Sequence, residues 1–124
     1  MRAVSTGGAP GAIGPYSQGI DTGALVFVAG QVGIDPATGE LVDGIEAQTE
    51  RVMRNIAAVL DAAGLSMADV VKTTILLADI GDFTTVNTVY GRFVGDPPPA
   101  RATYAVAGLP RGARIEIEAI AARG

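Results

Sequence analysis

The 124-residue sequence contains no cysteine and no histidine. A chain without these side chains cannot form a thiolate nucleophile, a serine–histidine pair, an imidazole proton shuttle or the common types of zinc site. Any catalysis by this protein must therefore use carboxylates, guanidinium and amino groups, hydroxyls, amides and water.

Long apolar runs and basic clusters are also missing. No stretch approaches the run of about 20 apolar residues that spans a bilayer. The opening MRAVSTGGAPGAIGP lacks the continuous apolar segment of a signal peptide. We therefore expect a cytoplasmic protein without a membrane partner. The formal net charge of −4, without a cluster of Lys or Arg, argues against nucleic acid as the main partner.

Strand and turn signals alternate along the chain. Gln18–Ile20 and Leu25–Gly30 read as a hairpin joined by Asp21-Thr22-Gly23, and Asp35-Pro36-Ala37-Thr38-Gly39 reads as a further turn. The β-branched segment Val70–Ala78 is a third predicted strand. The glycines of Gly7–Gly14 are interpreted as turn-formers, because no Gly-Lys-Ser/Thr follows them as in a phosphate loop.

Two helices are predicted from apolar residues at helical spacing. Asp43 and Glu46 have capping-box spacing for the first helix, and Gly64 provides its stop. Asp82 can cap the second helix, which Asp96-Pro97-Pro98-Pro99 ends. The apolar stripes are Val52, Ile56, Val59, Leu60 and Ala63 in the first helix, and Phe83, Val86, Tyr90, Phe93 and Val94 in the second.

The C-terminal quarter places one arginine and one carboxylate within apolar strands. Arg101 precedes a short predicted strand, residues 102–106, and Gly108, Pro110 and Gly112 then mark a turn. From Arg114 to Ala122 the sequence alternates, with Ile115, Ile117, Ala119 and Ala121 on one face and Glu116 and Glu118 on the other. We therefore expect Arg101 and Glu116 on two strands of one hairpin, where a guanidinium can bind a carboxylate and a carboxylate can direct water.

Residues 1–124 are predicted to form a single α+β domain in which two helices cover one face of a mixed sheet. The strand segments LVFVA and TILLA are apolar at successive positions, so both faces of the sheet require burial. Two helices cover one face only. The simplest cover for the other face is a second copy of the chain, which predicts a homo-oligomer with sites at subunit interfaces.

Five blocks of the sequence resemble, in the same order, those of the reactive intermediate deaminase (RidA/YjgF) family. The blocks are APGAIGPYSQ, GQVGIDPATGE, VVKTT, DFTTVNTVY and the segment from Pro-Ala-Arg to IEIEAIA, together spanning roughly residues 9–123. The resemblance implies a chorismate-mutase-like fold, a homotrimer around a central barrel, and clefts between subunits. It also implies hydrolysis of 2-imino or enamine acids, such as 2-aminoacrylate or 2-iminobutanoate, to 2-oxo acids and ammonia.

The family's site residues map onto this chain one by one. The resemblance implies that Arg101 binds the substrate carboxylate, Glu116 positions the hydrolytic water and Tyr16 lies in the cleft. Gly30 and Asn87 are further family positions near the substrate. The chain departs from the family pattern at two substrate-binding positions, with Ala29 where serine is common and Thr103 where cysteine is common. Ala29 removes a polar side chain, whereas Thr103 still supplies its backbone carbonyl.

Structural roles compete with these assignments. Arg101 can form an interface salt bridge, and Glu118 fits the solvated side of a strand. Asn87 lies on the apolar stripe of the second helix, so its amide requires a hydrogen-bond partner, either a neighbouring loop or the substrate. Tyr16 can be a core residue with its hydroxyl at the rim.

The leading hypothesis is therefore imine hydrolysis without metal or cofactor, because an iminium is already electrophilic. The alternative is a non-catalytic trimer that binds small carboxylates or protects partner proteins. A ribonuclease or translation-inhibitor role, described for some members of the broad family, fits poorly with an acidic chain.

Overall fold

The computed structural model describes residues 1–124, which form a six-stranded mixed sheet, a two-stranded ribbon and two α-helices. In chain order the elements are β1 (Arg2–Val4), β2 (Gly19–Asp21), β3 (Leu25–Val32), β4 (Ile34–Asp35), β5 (Glu40–Leu41), α1 (Ile45–Ala62), β6 (Val70–Leu77), α2 (Phe83–Gly91), β7 (Ala100–Ala105) and β8 (Ile115–Ala122). The α+β prediction, with two helices against one mixed sheet, is confirmed. Neither α1 nor α2 combines the length and the apolar composition that a membrane-spanning helix requires.

The strand order of the large sheet is β1-β2-β3-β8-β6-β7. All neighbours are antiparallel except β6 and β7, which are parallel and are connected through α2. Two parallel strands require a crossover connection, because a tight turn leaves the next strand antiparallel to the first. The predicted β2–β3 hairpin is confirmed, with Ile20 opposite Phe27.

The prediction that Arg101 and Glu116 share a hairpin is wrong. Arg101 lies on β7 and Glu116 on β8, and β6 pairs with both strands and separates them. After β7 the chain passes through a 3-10 turn, Pro110–Gly112, and enters the sheet on the other side of β6. The glycines and proline of this connection do form a turn, but the turn does not join neighbouring strands.

The hydrophobic core lies between the sheet and the two helices. The α1 stripe is buried as predicted, and Ile115, Ile117, Ala119 and Ala121 of β8 face it. Of the α2 stripe, Val86 and Tyr90 are buried, whereas Phe83 is exposed and Phe93 and Val94 follow the helix end. Gly64 adopts a left-handed φ of 78° just after α1, in agreement with its predicted role as the stop.

Neither predicted carboxylate cap forms. The N-cap of α1 is Gly44, and no side chain caps it. Asp82 does occupy the N-cap position of α2, but its carboxylate accepts two hydrogen bonds from the Arg114 guanidinium, at 2.9 and 3.0 Å, instead of capping the helix. A charged guanidinium competes more strongly for a carboxylate than a backbone amide does.

The sheet face away from the helices is uncovered within the chain. It carries large apolar side chains at exposed or half-buried positions, including Phe27 at 42% and Tyr104 at 58% of full exposure. Ile20, Leu76 and Ile120 lie on the same face. We refer to this surface as the open face.

One ion-pair network ties the chain termini to the fold. The Asp21 carboxylate, at the end of β2, accepts hydrogen bonds from Arg123 at 2.6 Å, from Arg2 at 3.2 Å and from the Gly23 amide at 2.9 Å. Arg123 also donates to the Ala63 carbonyl at the end of α1. The Gly23 amide, and then the Arg123 guanidinium, lower the pKa of Asp21 to about 2.

Replacement of Asp21 by asparagine should therefore reduce stability in a pH-dependent way. A carboxyl whose folded pKa is depressed stabilises the fold fully above its ordinary pKa of 3.8, and this contribution is lost as the pH falls towards 2. Asp21→Asn should lower Tm at neutral pH, and its Tm should converge with that of the wild type between pH 4 and pH 2. Asp61→Asn, at an exposed α1 position, is the matched control. Equal Tm values for Asp21→Asn and wild type at neutral pH would contradict this role.

Candidate active site

Glu116, the second residue of β8, projects onto the open face. Its backbone is paired on both sides, with Val32 of β3 and Leu76 of β6, so the strand positions the carboxylate rigidly. The neighbouring β3 segment is irregular, because the β3–β8 register shifts between Val28 and Gln31. Such a bulge redirects side chains in the segment that contains it.

Gly30 lies within this irregular segment and leaves room for the glutamate. A Cβ atom at residue 30 would lie 2.9 Å from the Glu116 Cδ and would overlap one of its carboxylate oxygens. Real Cβ atoms do not approach other atoms so closely. The position of the Glu116 carboxylate therefore requires glycine at residue 30.

The pKa of Glu116 is raised above its ordinary value. Burial of the carboxylate is the main cause, and repulsion from Glu118 on the same strand face adds to it. No arginine or lysine forms an ion pair with Glu116 within the chain. A half-buried carboxylate without a counter-ion is a candidate proton acceptor.

Glu116 opens into a cavity of about 600 Å³. Three further predicted site residues, Tyr16, Ala29 and Gly30, line the same cavity. The Tyr16 ring is half exposed, and its hydroxyl accepts a hydrogen bond of 3.4 Å from the Ile13 amide. Tyr16 is therefore a wall residue of the cavity and not a core residue.

Gln18 and Arg111 are among the cavity residues that were not predicted from the sequence. Gln18 is buried and holds the lead-in loop against the sheet, since its side chain accepts from the Thr6 amide at 2.7 Å and donates to the Pro10 carbonyl at 2.8 Å. Arg111 also lines the cavity and donates to the Gly39 carbonyl at 3.3 Å. The sequence signal for Gln18 was a glutamine at the start of a predicted strand. No feature of the local sequence distinguishes Arg111 as a cavity residue.

Arg101 lies in a different part of the molecule. Its guanidinium carbon is 5.2 Å from the ring centroid of Tyr90 and 5.5 Å from that of Phe83, which are cation–π distances. The Tyr90 hydroxyl is hydrogen-bonded to the Thr73 hydroxyl at 2.7 Å. Arg101 forms no ion pair within the chain, so its guanidinium is oriented by aromatic rings while its hydrogen-bond donors remain available.

Two predicted binding residues have buried polar atoms that lack partners. The Thr103 hydroxyl, which belongs to a cavity of about 500 Å³ shared with Arg101 and Phe83, makes no hydrogen bond. The Asn87 Oδ1 atom on α2 also makes none, so no neighbouring loop of the chain satisfies it. An unpaired buried polar atom costs about 1–3 kcal/mol, which favours a partner outside the single chain.

The two groups of residues lie on opposite faces of the sheet. Arg101 is paired with Thr73, whose side chain is buried on the helix side, while Glu116 is paired with Leu76 on the open face. In addition, β7 and β8 are two strand spacings apart, roughly 10 Å. One chain therefore brings Glu116, Tyr16, Ala29 and Gly30 together and keeps Arg101, Thr103 and Asn87 apart from them. No three His, Cys, Asp or Glu side chains are grouped as metal ligands would be.

Comparisons with known proteins give a consistent result. The sequence model of the family described as endoribonuclease L-PSP matches residues 6–123. The human protein 2-iminobutanoate/2-iminopropanoate deaminase is 49% identical over 124 residues, which cover 99% of this chain and 90% of the human one.

Comparison with solved structures gives the same result. The structure of RidA from the Antarctic bacterium Psychrobacter superposes with a TM-score of 0.97 at 44% identity, covering 99% of this chain and all of that one. The Escherichia coli protein TdcF, solved with bound serine, superposes with a TM-score of 0.96 at 41% identity over the full length of both chains. These sequence identities are far higher than those of proteins that share only a fold.

The environment of Glu116 can be tested by a site-resolved titration. We expect the Glu116 carboxyl, followed by carbon-detected NMR, to titrate above the ordinary glutamate pKa. Glu118→Gln should lower this pKa without restoring the ordinary value, because burial remains. Glu46→Gln, in the first turn of α1, should leave it unchanged. An ordinary Glu116 pKa in the wild type would refute the proposed desolvation.

Proposed function

Because this chain belongs to the reactive intermediate deaminase (RidA/YjgF) family, we propose that it hydrolyses short 2-imino acids and their enamine tautomers to 2-oxo acids and ammonia. The observation that carries the proposal is Glu116, a half-buried carboxylate with a raised pKa and no counter-ion, at the wall of a cavity. Such a group is suited to proton transfer. In a purely structural role it would only lower the stability of the fold.

The complete site forms between two copies of the chain, in a homotrimer. Arg101 and Glu116 lie on opposite sheet faces, so one chain cannot present both to a molecule of a few carbon atoms. The open face needs cover, and the Arg101 group contains two buried atoms without partners. Both requirements are met when the Arg101 group of one copy lies against the Glu116 cavity of the next.

Arg101 binds the substrate carboxylate through its two parallel N–H donors. The rings of Tyr90 and Phe83 hold the guanidinium in one orientation, which reduces the entropy lost on binding. The imine carbon, which is bonded to the carboxylate carbon, is thereby held near Glu116 of the adjoining copy.

Glu116 orients a water molecule and accepts its proton as the water oxygen bonds to the imine carbon. The π electrons of the C=N bond move to nitrogen, which gives a tetrahedral carbinolamine. Glu116 then returns the proton to nitrogen. As the C–N bond breaks and ammonia leaves, Glu116 accepts the proton of the hydroxyl group, which becomes the carbonyl of the 2-oxo acid. The first step needs the ionised form of Glu116. The raised pKa of this residue therefore shifts the acid limb of the pH–rate profile to a higher pH than an ordinary glutamate would give.

Tyr16, Ala29 and Gly30 shape the pocket around this chemistry. Tyr16 forms a wall, and Gly30 provides the space that the Glu116 carboxylate occupies. Ala29 presents a methyl group where serine is common, so the cavity wall at residue 29 is apolar. Thr103 contributes its backbone carbonyl to the Arg101 side, and Asn87 contributes its unpaired Oδ1.

A trimer that only binds carboxylates is the alternative. A binder gains nothing from a buried, unpaired glutamate beside an anionic ligand, so the site argues for catalysis. Endoribonuclease activity, which the family description names, receives little support from a chain with a net charge of −4. The trimer needs no nucleic acid, membrane, metal or cofactor for the proposed reaction.

Mixed trimers test whether the site lies between subunits. Arg101→Lys keeps the charge but loses the bidentate geometry, so we expect its homotrimer to lose ~10-fold or more in activity. The Glu116→Gln homotrimer should lose more. Light scattering should first show three 12.5-kDa chains per particle.

Tandem-tagged trimers that contain both variants should regain about one third of wild-type activity, because one of three cyclic interfaces pairs two intact residues. Mixed trimers no more active than the two parent variants would place the whole site in one subunit.

Glu116→Gln separates catalysis from binding. The amide keeps the shape of the side chain but cannot accept a proton, so we expect imine turnover to fall ~10²-fold or more. Affinity for a 2-oxo acid should stay equal or improve, since a buried negative charge has been removed. Turnover is measured by coupling an amino-acid oxidase to the protein, with semicarbazide as the imine trap.

Glu118→Gln is the matched control, because Glu118 lies on the same strand face but outside the Glu116 cavity. Its turnover at neutral pH should change little. Wild-type turnover in Glu116→Gln would refute water activation by Glu116. No acceleration by the wild type with several short imines would favour the carboxylate-binding alternative.

A further inference from the structure

The Glu116 cavity contains one arginine, which the proposed reaction does not use. Arg111 lines the cavity together with Glu116 and Tyr16, but on the rim formed by the turns at Pro36–Gly39 and Pro110–Gly112. Its single hydrogen bond is the long one, 3.3 Å, from a guanidinium nitrogen to the Gly39 carbonyl. The other guanidinium N–H groups have no protein acceptor and are available to a ligand.

The charge of Arg111 is not neutralised within the chain. Four of the eight arginines bind carboxylates, namely Arg2, Arg54, Arg114 and Arg123. Arg111 binds none, although Glu116 lines the same cavity. A guanidinium that faces a small-molecule cavity without a counter-ion is a binding group for an anion.

The backbone at Arg111 is unusual as well. Its φ of 62° is the only left-handed value at a non-glycine residue, and Gly112 follows with a φ of 69°. An L-residue with a long side chain is disfavoured in this region by about 1 kcal/mol or more, and strain of this kind occurs disproportionately at ligand sites. Glycine or asparagine would satisfy the turn at a lower cost, so the turn itself gives no reason for an arginine.

We propose that Arg111 forms a second carboxylate subsite, which extends the substrate range of the Glu116 cavity to dicarboxylic 2-imino acids. This inference rests on the proposed function. Arg101 of one subunit binds the carboxylate next to the imine carbon, and Arg111 of the adjoining subunit binds the carboxylate at the far end of the side chain. A cavity of about 600 Å³ lies in the range of small-molecule sites and accommodates a chain of four or five carbon atoms.

The test compares two substrates in matched variants. Imines are generated from glutamate and from 2-aminobutyrate by the corresponding oxidases, and kcat/KM is measured with the semicarbazide trap. Arg111→Gln should lower kcat/KM for the glutamate-derived imine at least ~10-fold more than that for the 2-aminobutyrate-derived imine. Arg111→Lys should retain part of the difference, because the charge remains. Arg92→Gln removes an exposed arginine outside the cavity and should leave the ratio unchanged.

A binding measurement keeps the inference testable without turnover. By calorimetry, the wild type should bind 2-oxoglutarate more tightly than 2-oxobutyrate, and Arg111→Gln should abolish this preference. Equal effects of Arg111→Gln on both substrates and both ligands would overturn the subsite, whether or not monocarboxylic imines are hydrolysed. Absence of turnover with a preserved, Arg111-dependent preference for 2-oxoglutarate would refute the deaminase and support the subsite.

Discussion

The position of β8 between β3 and β6 is the constraint on which the remaining structure depends. Because β6 and β7 are parallel and joined through α2, β7 occupies one edge of β6, and only the other edge is available to β8. Strand β8 is thus paired along both edges. Its odd-numbered residues complete the core, and Glu116 is held on the open face by a backbone that cannot shift without breaking two ladders. The same arrangement removes Arg101 from the neighbourhood of Glu116.

The raised pKa of Glu116 is a consequence of local packing. The bulge in β3 and the missing side chain at Gly30 let the carboxylate lie against the sheet, where water reaches it poorly. No cation compensates for the lost hydration. This arrangement is unfavourable for the folded chain, and proteins tolerate it mainly where a group must exchange a proton. Glu118, two residues along the same face, raises the pKa further and remains exposed.

Apolar periodicity and local turn residues predicted the helices, the alternation of β8 and the first hairpin, because these features depend on residues close together in the sequence. It could not predict strand pairing between distant elements, so Arg101 and Glu116 were wrongly placed on one hairpin. The Asp82 cap failed for a similar reason, since Arg114, 32 residues away in sequence, competes for its carboxylate. Tyr16, Ala29 and Gly30 of the Glu116 cavity were identified through family blocks. Arg111 was missed because the turn residues around it predict a turn but not the cavity that the turn borders.

Electrostatics connects the two basic groups of the proposed site. The chain carries a net charge of −4, and two carboxylates, Glu116 and Glu118, lie on the face that the cavity opens towards. An anionic substrate is repelled by such a field unless local cations outweigh it. Arg101 and Arg111 lack carboxylate partners and border cavities, whereas the ion-paired arginines stabilise the fold elsewhere. Unpaired guanidinium groups at the cavities therefore allow an acidic protein to combine a catalytic carboxylate with a negatively charged substrate.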